Sequence, residues 1–265
     1  MAVRVLTAAR TQALVGLAVV KDRLHITGTA QDAALTLLIA EASSAIVAWL
    51  ARPLARQRYE QACRGNGRRR LLLDRHPVDR DSVTVEVDGE AVTDFVVVEP
   101  EGGMLSRGVG WPRPSAELDD ENNVVVTYRA GYVLPEMIST WTASATAVLG
   151  EWLRPTSPAL TPFLLEVTTG GALGGTEPTY PAAGGGTVAS GAAVLTARDA
   201  AELPPILQQC AWVTVLEFYQ RTLRLPGVTS MSADGFSASF DLKALDCALP
   251  SNVERSLAHW RQVRL

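Results

Sequence analysis

Cysteine is scarce in this chain. Its 265 residues hold three, Cys63, Cys210 and Cys247, odd in number and far apart. That spacing fits neither a disulfide framework nor a paired zinc pattern, so a reducing assembly compartment is expected. Histidine is equally rare, with His25, His76 and His259 only. None has a Cys, Asp or Glu at metal-ligand spacing on a shared helix face, so no metal and no cofactor is expected. No uninterrupted apolar run reaches the ~18 residues of a membrane-spanning helix, and on that ground no membrane contact is expected. The opening apolar stretch is broken by Gln12 and Gly16 and followed by Lys21-Asp22-Arg23, which argues against a secretory signal. A net charge of -4 gives no global basic footprint, so DNA wrapping is not implied.

Catalytic patterns are also missing. No G-x-S-x-G elbow occurs, and no Ser, His and Asp set follows from spacing. Gly170, Gly171, Gly174 and Gly175 approach a phosphate-loop spacing, but Thr176-Glu177 stands where a lysine and a hydroxyl residue are needed. His76 before Pro77 reads as a surface turn. Asp119-Asp120-Glu121, flanked by Asn122-Asn123, reads as a solvated hairpin tip rather than a cation site. An enzyme is not expected.

What is present is a foldable chain, 47% apolar and 20% charged. Thr29-x-x-Asp32 has the form of a capping box, and Leu35, Leu38, Ile39, Ala42, Ile46, Trp49 and Leu50 then recur at helical offsets up to Pro53. An earlier helix is expected over Thr11 to Leu24. Arg64-Gly65-Asn66-Gly67-Arg68-Arg69-Arg70 breaks the helical pattern, and period two takes over. Val83, Val85 and Val87 alternate with polar residues before the Asp88-Gly89 hairpin signal, and Phe95 to Val98 and Val124 to Tyr128 follow as strands. One small antiparallel sheet is therefore expected from about residue 70 to 132.

Composition shifts near Ile138. From there to Asp199 the chain is rich in Thr, Ala, Gly and Pro, with short apolar segments such as Phe163 to Thr168, and reads as a second β module. Helix returns at Leu203-Pro204-Pro205, since proline is tolerated where first-turn N–H groups have no intrahelical partner. Ile206 to Leu223 is apolar on nearly every face, which predicts neighbours all round. Ser251-x-x-Glu254 has the form of a second capping box and opens a final helix with surplus positive charge.

Taken in order, several segments resemble the head-to-tail adaptor (connector) family of tailed phages. They are Leu17-Ala18-Val19-Val20-Lys21-Asp22-Arg23-Leu24-His25-Ile26 with the helix ending Ala51-Arg52-Pro53-Leu54, then Leu71-Leu72-Leu73-Asp74-Arg75-His76-Pro77-Val78 with Val83 to Gly89. Val126-Thr127-Tyr128-Arg129-Ala130-Gly131-Tyr132, Leu203-Pro204-Pro205-Ile206 and Leu249-Pro250-Ser251-Asn252-Val253 complete the set. About three quarters of the chain is covered. The block from Ile138 to Asp199 departs from the family and is similar to a small β module inserted in various phage virion proteins.

The resemblance implies an α+β fold: a helical adaptor core with an antiparallel β insert and a second Gly/Pro-rich β insertion. Residues 1–137 would be a helical hairpin plus β insert, 138–200 the inserted module, and 201–265 the long core helix and docking helix of the same core domain. It further implies a virion protein of the neck, assembled in the host cytoplasm as a ring of twelve copies beneath the portal. Its partners would be copies of itself, the portal protein, a tail or stopper protein, and genomic DNA passing through a channel unread. Val253, Arg255, Leu257, Trp260, Arg261 and Arg264 are the candidate portal-docking residues. Arg64, Arg68, Arg69 and Arg70 are candidates for contact with DNA or an acidic partner. The alternative is a tail-associated or carbohydrate-binding virion module, which would use the Trp- and Gly-rich insert.

Overall fold

The computed structural model describes residues 2–114, 122–156, 161, 163–223, 230–233, 236–239 and 249–261. Asp119-Asp120-Glu121, Cys247 and Arg264 lie outside them. The chain divides into two units, one of Met1–Thr11 with Leu54–Glu202 and the other of Gln12–Pro53 with Leu203–Leu265.

The first unit is built on strands. β1 (Ala2–Thr7), β2 (Gln57–Cys63), β8 (Val124–Ala130), β4 (Thr84–Val87) and β5 (Glu90–Val92) form a five-stranded antiparallel sheet in the order β1-β2-β8-β4-β5. β3 (Arg70–Leu72), β7 (Met104–Arg107) and β6 (Phe95–Glu99) form a separate three-stranded sheet. Alternation along β2 and β8 turns Tyr59, Cys63, Val124, Val126 and Tyr128 inward, against Leu71, Leu105 and Trp111. The Tyr59 and Tyr128 rings lie 5.8 Å apart, and Tyr128 Oη donates to Gln61 Oε1 at 2.7 Å, which gives the buried Tyr128 hydroxyl a partner.

β9 (Ile138–Thr140), β11 (Trp152–Arg154), β12 (Leu164–Thr169), β15 (Ala193–Arg198) and β14 (Thr187–Ser190) make a second five-stranded sheet, ordered β14-β15-β12-β11-β9. β10 (Thr146–Ala147) pairs with β13 (Gly171–Ala172) beside it. Leu165, Val167, Leu195 and Ala197 are fully buried there, with Trp141 and Tyr180 packed on them. The turn before β15 needs Gly191: its φ is +61°, and a Cβ would meet the Ala172 carbonyl oxygen at 2.5 Å.

The second unit holds the helices α1 (Leu17–Leu24), α2 (Asp32–Leu50), α3 (Pro205–Leu223) and α4 (Ser251–Leu257), with the hairpin β16 (Ser230–Ala233) and β17 (Phe236–Ser239). α2 buries Leu35, Ile39, Ala42, Ile46 and Leu50 on one side. Lys21 Nζ reaches Asp32 Oδ1 at 2.6 Å and ties α1 to the first turn of α2. On α3 the buried side chains Leu207, Cys210, Ala211, Thr214 and Val215 form a single stripe, and the remaining faces are half-buried or exposed.

Several expectations are corrected. The helical adaptor core does not form: β-strands dominate the chain, and α1 to α4 fall in one unit while the two five-stranded sheets fall in the other. The reason is local as well as global. Ala51 adopts a left-handed conformation and Pro53 follows, so α2 ends there. The next segment alternates inward Tyr59, Gln61 and Cys63, and becomes a central strand instead of more helix. The single sheet expected from 70 to 132 is two sheets, one of which recruits β1 and β2 from outside that range.

The first helix starts at Leu17 rather than Thr11. Neither capping box forms. α2 begins at Asp32 with Gln31 before it, because the Asp32 carboxylate is held by Lys21, and α4 begins at Ser251 after Pro250. The apolar-run criterion also understates α2, which at 19 residues and mean hydropathy 1.8 is long and apolar enough to cross a membrane by length and composition. Its buried stripe is equally that of a core helix.

Candidate functional site

Charge in the first unit concentrates where the two five-stranded sheets meet. Arg56, just before β2, is 9% exposed and ion-pairs with the Asp79 carboxylate, itself 5% exposed. The Asp79 side chain also accepts from the Asp81 amide and so caps the short turn at Arg80–Ser82. From β8, Arg129 Nη1 reaches both Glu166 oxygens on β12, at 2.6 and 2.8 Å. Arg198 Nε on β15 donates to the same carboxylate at 2.9 Å. The Arg56 guanidinium lies 4.9 Å from the Trp152 ring centre, a cation–π contact from one sheet to the other. Burial pulls the Arg56 pKa below its ordinary value, opposed chiefly by the nearby Asp79 and Glu166 carboxylates.

A groove of about 730 Å³ opens over this cluster, lined by Arg10, Arg58, Glu136, Leu149, Trp152 and Thr168 among others. Arg10 Nη2 donates to the Leu149 carbonyl at 2.6 Å, and Ser139 Oγ donates to Glu151 Oε1 at 2.7 Å. Among the described residues no histidine or cysteine lines it. Three arginines and two carboxylates here are committed to one another, so the arrangement holds sheets in place and offers no poised nucleophile or base. Among the described residues no group of three or more His, Cys, Asp or Glu could hold a metal ion.

The sequence pointed elsewhere. Arg64, Arg68, Arg69 and Arg70 are all exposed, the first three on a loop that is built rather than loose and Arg70 at the start of β3. Gly65 N donates to Asn123 Oδ1 at 2.9 Å, Gly67 N to the Trp111 carbonyl at 2.7 Å, and Arg68 N to Asn66 Oδ1 at 2.8 Å. A Cβ on Gly65 would stand 1.7 Å from the Pro112 carbonyl oxygen, so only glycine fits. Buried Trp111 lies beneath and donates its indole N–H to the Arg69 carbonyl at 3.1 Å.

In the second unit Val253 and Leu257 are buried and fix α4 within that unit, whereas Arg255 and Arg261 are exposed and Trp260 is half-buried. Arg261 stacks 5.2 Å from the Trp49 ring and Arg52 6.0 Å from that of Trp260. The structure thus gathers the loop arginines, and separately the α4 residues. The inter-sheet cluster went unread, although an isolated acid in the apolar run Phe163 to Val167 and an arginine after Leu54-Ala55 were its traces.

Burial also raises the Cys63 thiol to about 11 and the Tyr59 phenol to about 12, so both stay protonated in the core at neutral pH.

No family model and no curated protein matches this chain. Solved structures do. A chain from the neck of an empty GTA particle, computed with C6 symmetry, is similar over 100% of this chain and 97% of its own, at 17% identity and a TM-score of 0.48. A chain from the virion of a native gene transfer agent (GTA) particle covers the same shares at 16% identity and a TM-score of 0.46. One from the neck of a native GTA particle, computed with C12 symmetry, gives the same values. In the solved structures, then, what this chain is similar to is chains of gene transfer agent particles, in the neck and in the virion.

Proposed function

We propose that this chain is a structural head-to-tail adaptor of a tailed-phage type of particle, non-enzymatic, forming a ring under the portal that joins the filled head to the tail and leaves a channel for DNA. One observation carries the reading beyond sequence order. Val133 N donates to the Ala201 carbonyl at 2.8 Å, and Val133 bridges Glu202 in parallel. The adaptor-like segment ending at Tyr132 and the one beginning at Leu203 are therefore adjacent, and residues 138–200 leave and re-enter the chain path at one place. That is how an inserted module sits in an otherwise continuous family pattern.

The portal-docking surface belongs to α4. Val253 and Leu257 anchor the helix from within, while Arg255 and Arg261 project into solvent beside Trp260. Arg255→Glu with Arg261→Glu leaves those anchors in place, and is a cleaner probe than truncation at residue 251, which would strip the cover from α3. Joining of tail-less heads to tails in a reconstitution assay should fall at least about tenfold. Unchanged joining by this variant would overturn docking through α4. The adaptor reading itself fails if electron microscopy finds no ring of the purified chain, alone or with portals.

The carbohydrate-binding alternative calls for an exposed aromatic platform. Trp141 and Trp152 are 7% and 5% exposed and Tyr180 is 7% exposed, so these three rings are buried and offer no platform. That favours the adaptor.

A further inference from the structure

The sheet β3-β7-β6 buries one face and leaves the other open. The row Leu71, Leu105 and Val97 points into the core, which turns the rows Arg70, Ser106, Val96 and Leu72, Met104 outward. Leu72 is 57% and Val96 62% exposed, and Val98, at the bulge of β6, is 51% exposed. Val109, 78% exposed, sits on the turn held against the arginine loop by the Trp111 N–H to Arg68 carbonyl bond of 2.9 Å. Aliphatic residues so grouped on one sheet face mark a contact surface.

Arg64, Arg68, Arg69, Arg70 and Arg113 rim this face, all exposed, and no carboxylate pairs with any of them among the described residues. Arg107, by contrast, is neutralised by Asp94 at 2.8 Å. Setting the five aside leaves 19 of the chain's 24 bases against its 28 acids, so the rest of the molecule is distinctly acidic. Its β4–β5 hairpin presents Glu86, Asp88 and Glu90, all exposed and likewise without a cationic partner among the described residues.

We propose that the outer face of β3-β7-β6, with its arginine rim, docks on the acidic β4–β5 hairpin of a second copy of this chain. Two such faces cannot meet each other, because five arginines would confront five. The contact pairs two different patches, and where the face and the hairpin of one copy engage two different neighbours it is heterologous and, repeated by rotation, closes a ring. DNA is the poorer occupant: Leu72, Val96 and Val98 would lie against phosphates, and no aromatic side chain on this face offers a base to stack on. The proposal rests on the ring reading and assigns its interface.

Light scattering of the full chain, with charge reversal on each side, tests it. Arg68→Glu, Arg69→Glu, Arg70→Glu on the loop, or Glu86→Lys, Asp88→Lys, Glu90→Lys on the hairpin, should each leave a folded monomer and raise the dissociation constant at least about tenfold. The six changes together should restore the oligomer. If either triple variant assembles like the parent, or the sixfold variant stays monomeric, the assigned interface is wrong. A parent chain that is monomeric at every concentration and on portals refutes the ring itself, and so is distinguishable. Binding of a labelled DNA duplex by the parent, lost in the loop variant and not regained in the sixfold one while assembly is unaffected, would make the face a DNA contact instead.

Discussion

Arg56→Met tests the inter-sheet cluster directly. Methionine keeps an unbranched apolar stem but removes the guanidinium, so the Asp79 carboxylate, 5% exposed, loses its cation while remaining out of water. Breaking one side of a buried pair costs about 3–5 kcal/mol, because the remaining charge is uncompensated. The lost stacking on Trp152, 4.9 Å away, adds to it. At roughly 2–4 °C per kcal/mol for a protein of this size, the melting temperature of the first unit should fall by about 6–20 °C. Arg56→Met with Asp79→Asn should cost less than the two single changes summed, by about 1.5 kcal/mol or more, since each single variant strands a charge and the double variant strands none. Urea unfolding of the four proteins, followed by tryptophan fluorescence, measures this coupling. A loss below about 1 kcal/mol for Arg56→Met, or strict additivity, would show that water already screens the pair and that the cluster does not hold the sheets.

Gly65→Ala should destabilise by about 3 kcal/mol, since its Cβ would collide with the Pro112 carbonyl; a urea midpoint within error of the parent would refute the rigid-loop account. Alkaline titration has a definite sign: Cys63 and Tyr59 hold their protons more tightly in the folded state, so stability is complete below pH 9, falls as pH passes first the ordinary thiol and then the ordinary phenol value, and is lost from these groups by about pH 12. A melting temperature that is flat from pH 9 to 11 would contradict it. A fragment of residues 135–200, which contains the whole cluster around Leu165, Val167, Leu195 and Ala197, should melt cooperatively by circular dichroism; a gradual slope would show that it needs the rest of the first unit.

Some of this was legible in the residues alone. The Asp88-Gly89 hairpin forms with φ of +53° and +83°, β6 and β8 lie where strands were expected, β12 falls on the short apolar segment Phe163 to Thr168, and α3 starts at Pro205. These are local signals: a turn that needs positive φ, a period of two, a proline tolerated only in a first turn. Capping was misread because Asp32 is taken by Lys21, a residue from another helix. Strands β1 and β2 were invisible because Ala2 pairs with Ala62, sixty positions away, and a six-residue segment shows its period only against its partner. Glu166 could be seen as an acid in an apolar run, but not that Arg129 and Arg198 converge on it.

The sequence by itself determined where several turns fall and which segments alternate. Only the tertiary structure decided that strands rather than helices dominate, that Val133 lies beside Ala201 and Glu202, and that the arginine loop adjoins an open apolar face. The first group depends on neighbours a few residues apart, whose chemistry is written consecutively. The second depends on pairings across dozens of residues, where register and burial are settled jointly by every strand in the sheet.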